Sequence, residues 1–242
     1  MNIIHFVTVA HEKGISATES TPRARRRVAN LEKILDAAMK MVTDEGFGAL
    51  SMNKLAGVVD YTPGALYRYF DSKDALLGAL VNQVLDEVRA VLVVAAEDVP
   101  EDRPLARLFA LTRAYRRFSV EESNKFSLLA MSMAEPRVLL RAPEVAEPVV
   151  HSMIATLSPI ADALGVAEAK QMLSPGSVPE RTVLVFASVQ GIVQLRKQAR
   201  VAPELLDLDR MVAAVVRTLL LGWGADEGAV DRAFELLTGG PS

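Results

Sequence analysis

From Arg27 to Asp44 the apolar positions are Leu31, Leu35, Ala38, Met39 and Val42. Spacings of four, three, one and three residues place them on one face of an α-helix. Glu32, Lys33, Asp36 and Lys40 take the other faces. Gly46 suits the left-handed backbone that closes many helices, and Phe47 and Leu50 turn inward as anchors. Ser51 is an N-cap for a short helix over Met52–Val58. Asp60 stands where the chain must turn, and Asp tolerates unusual backbone angles better than most non-glycine residues. Thr62 caps the next helix, Pro63–Tyr69, with proline at the first position, where its missing N–H costs nothing. Asp71 or Ser72 then caps a long helix from Lys73 to about Glu97. Its apolar positions Leu76, Leu77, Leu80, Val84, Val88, Val91 and Leu92 again keep helical spacing.

Pro100 and Pro104 break the pattern. Beyond them helices are expected near residues 105–120, 122–134, 145–164, 180–200, 207–222 and 227–237, with Pro and Gly between. Pro159 is placed to kink or end the third of these. No alternating strand pattern and no internal repeat is found. The expected fold class is all-α: a flexible N-terminal arm over residues 1–22, a three-helix head over 23–73, and a larger helical domain over 74–242.

Composition narrows the chemistry. Half of the 242 residues are hydrophobic, enough to build a core. There is no Cys, which excludes disulfides, thiol catalysis and Cys-ligated zinc. His5, His11 and His151 are too scattered to suggest a metal site or a His-centred triad. No phosphate loop, nucleophile elbow, metal motif or paired acid–base constellation is present. No metal or cofactor is therefore expected, and no enzymatic activity. The longest apolar run falls well short of the ~18 residues of a membrane span, and IIHFVTVA at the N-terminus lacks the basic flank of a secretory signal. A cytoplasmic protein without a membrane partner is expected. The net charge of −3 is unevenly spread: up to Lys73 there are ten Lys or Arg against eight Asp or Glu, and afterwards 17 against 22. Arg23, Arg25, Arg26 and Arg27 form the tightest basic cluster. A basic front on an acidic body fits an anion-binding head, and a solvated arm fits it as well.

Two short helices joined by a tight turn form the helix-turn-helix design, whose second helix is slim enough for a major groove. An ordinary helical hairpin shares the spacing. Thr62, Tyr67, Arg68, Tyr69 and Lys73, however, gather hydrogen-bond donors around one short helix, while Gly64 and Ala65 are small where a buried hairpin would carry Leu or Val. The run Leu55-Ala56, then Thr62-Pro63-Gly64-Ala65-Leu66-Tyr67-Arg68-Tyr69-Phe70-Asp71-Ser72-Lys73-Asp74-Ala75-Leu76-Leu77, resembles the signature of the TetR family of bacterial transcriptional regulators. The match is dense over about Arg25–Leu80. It departs at Asp60, where many members carry Gly.

The resemblance implies roles for individual residues. Thr62, Pro63, Gly64 and Ala65 would face base edges or the DNA backbone. Tyr67 and Tyr69 would donate hydroxyls to phosphates, and Lys73 would meet a phosphate beside a helix N-terminus. Ser51 and Met52 would lie near the opposite strand. Arg68 is the one side chain placed for bidentate base reading, a surface phosphate contact or salt bridge being its alternative. The Arg23–Arg27 cluster resembles a basic arm that reaches a neighbouring groove.

In the larger domain the resemblance implies a homodimer interface and a small-molecule pocket. The interface candidates are Val183, Ala187, Gln190, Gly191 and Gln194 on one helix, with Met211, Val215, Leu219 and Trp223 on another, able to form a four-helix bundle across two subunits. The pocket candidates are Phe109, Tyr115, Phe118, Phe126, Met131, Met133, Met153 and Phe186, whose character favours an apolar or aromatic effector. His151 is a candidate hydrogen-bonding group there. The expected function is a dimeric, sequence-specific repressor of double-stranded operator DNA. Its effector changes the spacing of the two heads through the tilt of the Lys73–Glu97 helix. The competing classes are a helical enzyme or carrier with a structural head, an activator, and a nucleoid-type binder without an effector.

Overall fold

The computed structural model describes residues 21–134 and 143–238. The assigned arm, with His5 and His11, lies outside them except for Thr21 and Pro22, and those two open the first helix. Thr21 Oγ1 accepts from Ala24 N at 3.2 Å, and Pro22 takes the first position. The helix α1 therefore runs Pro22–Glu45, five residues earlier than its apolar stripe suggests. The Arg23–Arg27 cluster occupies its exposed first turns.

The chain continues with a single 3₁₀ turn, Phe47–Ala49, then α2 (Met52–Val58), α3 (Pro63–Leu66), α4 (Lys73–Glu97), α5 (Pro104–Glu121), α6 (Ser123–Ala134), α7 (Pro143–Thr156), α8 (Ser158–Ala169), α9 (Val178–Gln194), α10 (Arg196–Ala199), α11 (Leu208–Gly222) and α12 (Glu227–Thr238). No strand occurs among the described residues. No single described helix is long and apolar enough to cross a membrane. The expected helix at 145–164 is two helices broken at Leu157, with Pro159 in the first turn of α8. The expected helix at 180–200 breaks at Leu195 into α9 and α10.

The chain divides into two compact units. The first holds the described residues up to Leu85, together with those between Asn124 and Met153. Its core is built from Ile34, Ala38, Leu55, Leu66, Phe70, Leu76 and Leu77, all buried. Asn124 Nδ2 donates to the carbonyl of Thr43, linking α6 to the end of α1. On α4, Gly78 lies against α7: a Cβ there would meet Val145 Cγ1 at 2.9 Å. The units divide between Leu85 and Asp86, inside α4, rather than at Lys73. The buried residues Leu76, Leu77, Leu80, Val81 and Val84 make the first half of α4 part of the first unit's core.

The second unit holds Asp86–Ser123 and the described residues from Ile154 onward. It is organised around α5, against which α8, α9, α11 and α12 all pack. Leu105, Leu108, Phe109, Leu111, Tyr115 and Phe118 are buried along its length. Phe109 meets Phe234 of α12 edge to face, with ring centroids 5.5 Å apart.

Candidate nucleic-acid interface

The helix pair α2–α3 owes its shape to local caps. Ser51 Oγ accepts from Lys54 N at 3.2 Å, and Thr62 Oγ1 accepts from Ala65 N at 3.2 Å. Each satisfies one of the amide donors a helix start leaves open. Between them Asp60 takes φ +60°, the left-handed conformation its position in the turn demands. Tyr61 N donates to Ala56 O at 2.8 Å, and Lys33 Nζ reaches from α1 to Val59 O at 3.1 Å. The turn is thus held both from within and from the preceding helix.

After Leu66 the backbone tightens. Arg68 N donates to Ala65 O and Tyr69 N to Leu66 O, so regular α-helix ends at Leu66 and a tighter turn carries the chain to Tyr69. The Tyr69 hydroxyl oxygen accepts from Asn30 Nδ2 at 3.0 Å, and its ring stacks on Tyr61 at 6.0 Å. This fastens the end of the second helix to α1. Ser72 Oγ caps α4 by accepting from Ala75 N at 3.0 Å, which leaves Lys73 as the first residue of that helix.

This frame leaves Leu66 and Phe70 inside and Thr62, Pro63, Gly64, Tyr67 and Arg68 outside. Tyr67 is 46% exposed. Ser51 is exposed, while Ala65, Tyr69 and Lys73 are half-buried. The structure corrects one assignment: Met52 is only 6% exposed and belongs to the core. The apolar side chain one residue inside an N-cap points back onto the bundle, so it is not available as a DNA contact. The sequence pattern gives no role to Asn30 and Tyr61, which fix Tyr69, and puts Lys33 simply on one of the non-apolar faces of α1. No local pattern marks these partners, since Asn30 and Tyr69 are 39 residues apart.

In the second unit, α9 and α11 pack on one another and leave an adjoining apolar surface uncovered. On α9, Val183 is 57% exposed, and Leu184, Ala187, Gly191 and Gln194 are exposed as well. On α11, Val212, Val216 and Leu220 face the core, while Met211, Val215 and Leu219 remain half-exposed. One interface candidate differs from expectation, and another has a partner in its own chain. Gln190 is buried and its Oε1 accepts from Tyr115 O–H at 2.5 Å. Trp223 is held in its own chain beneath Arg181, whose guanidinium lies 5.2 Å from the ring centroid.

The eight pocket candidates do not fall in one unit. Phe126, Met131, Met133 and Met153 belong to the first, and Phe109, Tyr115, Phe118 and Phe186 to the second. Phe126 is fully buried and Met133 is exposed. Burial pushes the Tyr115 hydroxyl well above the usual tyrosine range, against the opposing influence of Arg196. His151 is exposed, and its Nδ1 pairs with Glu147 O at 2.9 Å on its own helix, so it turns toward solvent and backbone instead of a pocket. A groove of about 840 Å³ does occur in the second unit, between the start of α5 and α12. Arg103, Leu105, Met172, Arg232 and Leu236 line it, and none of the eight candidates does.

The fold and the capped, outward-facing second helix define a class: all-helical proteins with a helix-turn-helix head. The family model for bacterial regulatory proteins of the tetR family matches residues 34–80, and that for the tetracyclin repressor-like C-terminal domain matches residues 108–219. The chain belongs to the TetR family. It is similar to an uncharacterised HTH-type transcriptional regulator, Rv1255c, from Mycobacterium tuberculosis, with 33% identity over 95 residues, covering 38% of this chain and 47% of the relative. The chain spans about half the length of the curated relatives it matches. Among solved structures, a protein of unknown function from Rhodococcus sp. RHA1 is 25% identical, with a TM-score of 0.63 over 80% of this chain and 95% of that one. RolR in complex with resorcinol shares the fold at 16% identity, with a TM-score of 0.64 over 87% of this chain and 95% of that chain.

Proposed function

We propose that the protein is a homodimeric, sequence-specific DNA-binding repressor that a small, largely apolar effector releases from its operator. The observation that carries this reading is the second helix of the head. Thr62, Pro63, Gly64, Tyr67 and Arg68 face outward, while Leu66 and Phe70 hold the helix down. Exposed hydroxyls and a guanidinium beside small residues suit a helix that comes close to a phosphate backbone and reads base edges. Arg68 has no ion-pair partner among the described residues, which favours a role toward an external anion or base. Lys73 contributes charge at the start of α4.

One short helix reads few base pairs, so helix-turn-helix proteins pair on two-fold sites. The apolar surface of α9 and α11 is suited to that pairing, with Val183, Ala187, Gly191 and Gln194 toward the partner and Met211, Val215 and Leu219 alongside. The effector reading draws on family membership and on the fold shared with the RolR–resorcinol complex. A ligand favours release only by binding the DNA-incompetent arrangement more tightly than the competent one.

The test is binding of the full chain to the DNA upstream of its own gene across a salt series. A repressor of this kind prefers that DNA to a scrambled duplex and loses log K linearly with log salt. Lys73→Ala weakens both duplexes alike and Arg68→Ala narrows the gap between them. Equal affinity for the two duplexes in the wild type would sink the proposal.

A further inference from the structure

The central helix of the second unit carries a polar seam in an otherwise apolar interior. Thr112, Tyr115 and Ser119 are spaced three and four residues apart, on one face of α5, and all are buried. Across from them α9 presents Phe186 and Gln190, one turn apart. Phe186 meets Tyr115 edge to face at 6.0 Å, and Gln190 Oε1 accepts from Tyr115 O–H at 2.5 Å. The Thr112 and Ser119 hydroxyls donate to carbonyls of their own helix, Thr112 to Leu108 O at 2.9 Å and Ser119 to Arg116 O at 2.6 Å.

One group in this seam is left over. Gln190 is 8% exposed, yet its Nε2 has no hydrogen-bond partner. A buried amide donor without a partner costs on the order of 1–3 kcal/mol. Native interiors hold few such groups, and each calls for an explanation, a ligand or a buried water among them. Tyr115 cannot supply a charge for it, because burial holds the phenol neutral, and its proton is already committed to Gln190 Oε1.

We infer that the Tyr115–Gln190 pair is the polar end of the effector site, and that Gln190 Nε2 donates to an acceptor oxygen (a carbonyl, carboxylate or phenolate) on a ligand whose body is apolar. This rests on the ligand-responsive reading above and gives it a chemical class. Phe186 supplies the apolar wall beside the donor. Tyr115 fixes the amide so that its oxygen points to the phenol and its nitrogen toward the ligand. Gln190 thereby leaves the subunit interface to which its spacing assigned it, while its helix neighbours Ala187, Gly191 and Gln194 stay on the opposite, exposed side of α9.

The experiment uses the full chain with three probes: acetophenone, benzoate and ethylbenzene. Affinity is measured by calorimetry, and the Gln190 side-chain amide resonances, assigned by their loss in Gln190→Met, are followed by NMR. Acetophenone, benzoate or both bind and shift those resonances. Ethylbenzene, which has the size of acetophenone without its oxygen, leaves them in place. Preference for acetophenone marks a neutral head group, and preference for benzoate an anionic one. Gln190→Met weakens the oxygenated probe by about tenfold, the loss of one buried hydrogen bond, and leaves ethylbenzene within about twofold. If the variant does not fold, the wild-type side-chain amide is assigned by triple-resonance experiments on the labelled chain and its shifts decide alone. Equal binding of acetophenone and ethylbenzene overturns the inference. So do unmoved Gln190 resonances, or no binding by any probe, which leaves a buried water as the partner. DNA release by the bound probe is scored separately. Binding at Gln190 without any release of DNA refutes the effector reading while the subsite stands.

Discussion

Replacing Arg181 with Met tests how α9 is held in place. Arg181 is 7% exposed. Its Nη2 donates to Ser174 O at 2.8 Å, its Nη1 lies 3.9 Å from Glu168 Oε2, and its guanidinium covers Trp223. The side chain therefore ties the first turn of α9 to the α8–α9 connection and to the end of α11. A charge-assisted hydrogen bond contributes about 1.5–3 kcal/mol and a buried cation–π contact about 1–2 kcal/mol. Against these stands the desolvation of the guanidinium, which Met does not require. The Glu168 contact adds little, since at that distance it is an ion pair without a hydrogen bond and Glu168 keeps access to water. The net loss for Arg181→Met is about 2–3 kcal/mol, or about 4–12 °C in melting temperature for a chain of this size. Gly176 supplies an internal control. A Cβ there would sit 2.5 Å from Arg181 Nη2, so Gly176→Ala must displace the guanidinium. In the wild type Gly176→Ala then costs about 1–2 kcal/mol, whereas beside Arg181→Met it costs close to nothing. Urea denaturation of the four proteins measures the coupling directly. Additive effects, or a loss for Arg181→Met below about 0.5 kcal/mol, would refute the reasoning.

Three further outcomes follow from other parts of the structure. Asp60→Gly relieves a left-handed aspartate but loosens the unfolded chain, so stability changes by less than about 1 kcal/mol; Asp60→Val at the same φ costs more than that, and denaturant midpoints separate the two. Tyr115 has a raised folded-state pKa, so its contribution is intact below the unfolded value of about 10 and is lost as pH rises beyond it. Wild type should lose up to about 1.4 kcal/mol per pH unit there on its account, and Tyr115→Phe should show a shallower alkaline decline in calorimetric melts. Val183→Glu places a charge on the exposed α9 face while leaving the interior of its own subunit untouched, so sedimentation should show dimer dissociation at micromolar concentration with the monomer's helical signal intact; an unchanged dimer would move the interface elsewhere.

What could be read along the chain was whatever is settled within a few residues. Ser51, Thr62 and Ser72 cap helices that begin where their side chains accept backbone protons three residues on. Asp60 turns the chain because its own backbone can. The same local signal was present at Thr21-Pro22, a threonine cap followed by proline at the first position, as at Thr62-Pro63. An apolar stripe that starts later hid it. The start of a helix is fixed by its cap and not by the first residue it buries, so the basic cluster, which resembles an arm in sequence, lies on the first turns of α1.

The second unit resisted reading for the complementary reason. On α9 the stripe Val183, Ala187, Gln190, Gly191 and Gln194 is regular enough to name a face, but a helix has two long sides, and only tertiary partners decide which side meets the core. Gln190 is one residue from Gly191, a rotation of about 100°. That step carries it from the exposed side to a phenol 75 residues earlier in the chain. Likewise Phe126 and Phe186 have the same composition signal, and the fold sends one to each unit. Apolar side chains at helical spacing report that a core exists, without reporting which core. A polar side chain inside it is more informative, because burying it is costly unless something answers it. Arg181 is answered within the same chain by Ser174 and Trp223, and its Nη1, which makes no hydrogen bond, still faces the Glu168 carboxylate at 3.9 Å. Gln190 is answered on one side only, by Tyr115, and the unanswered amide nitrogen is what turns an ordinary helix contact into a candidate recognition group.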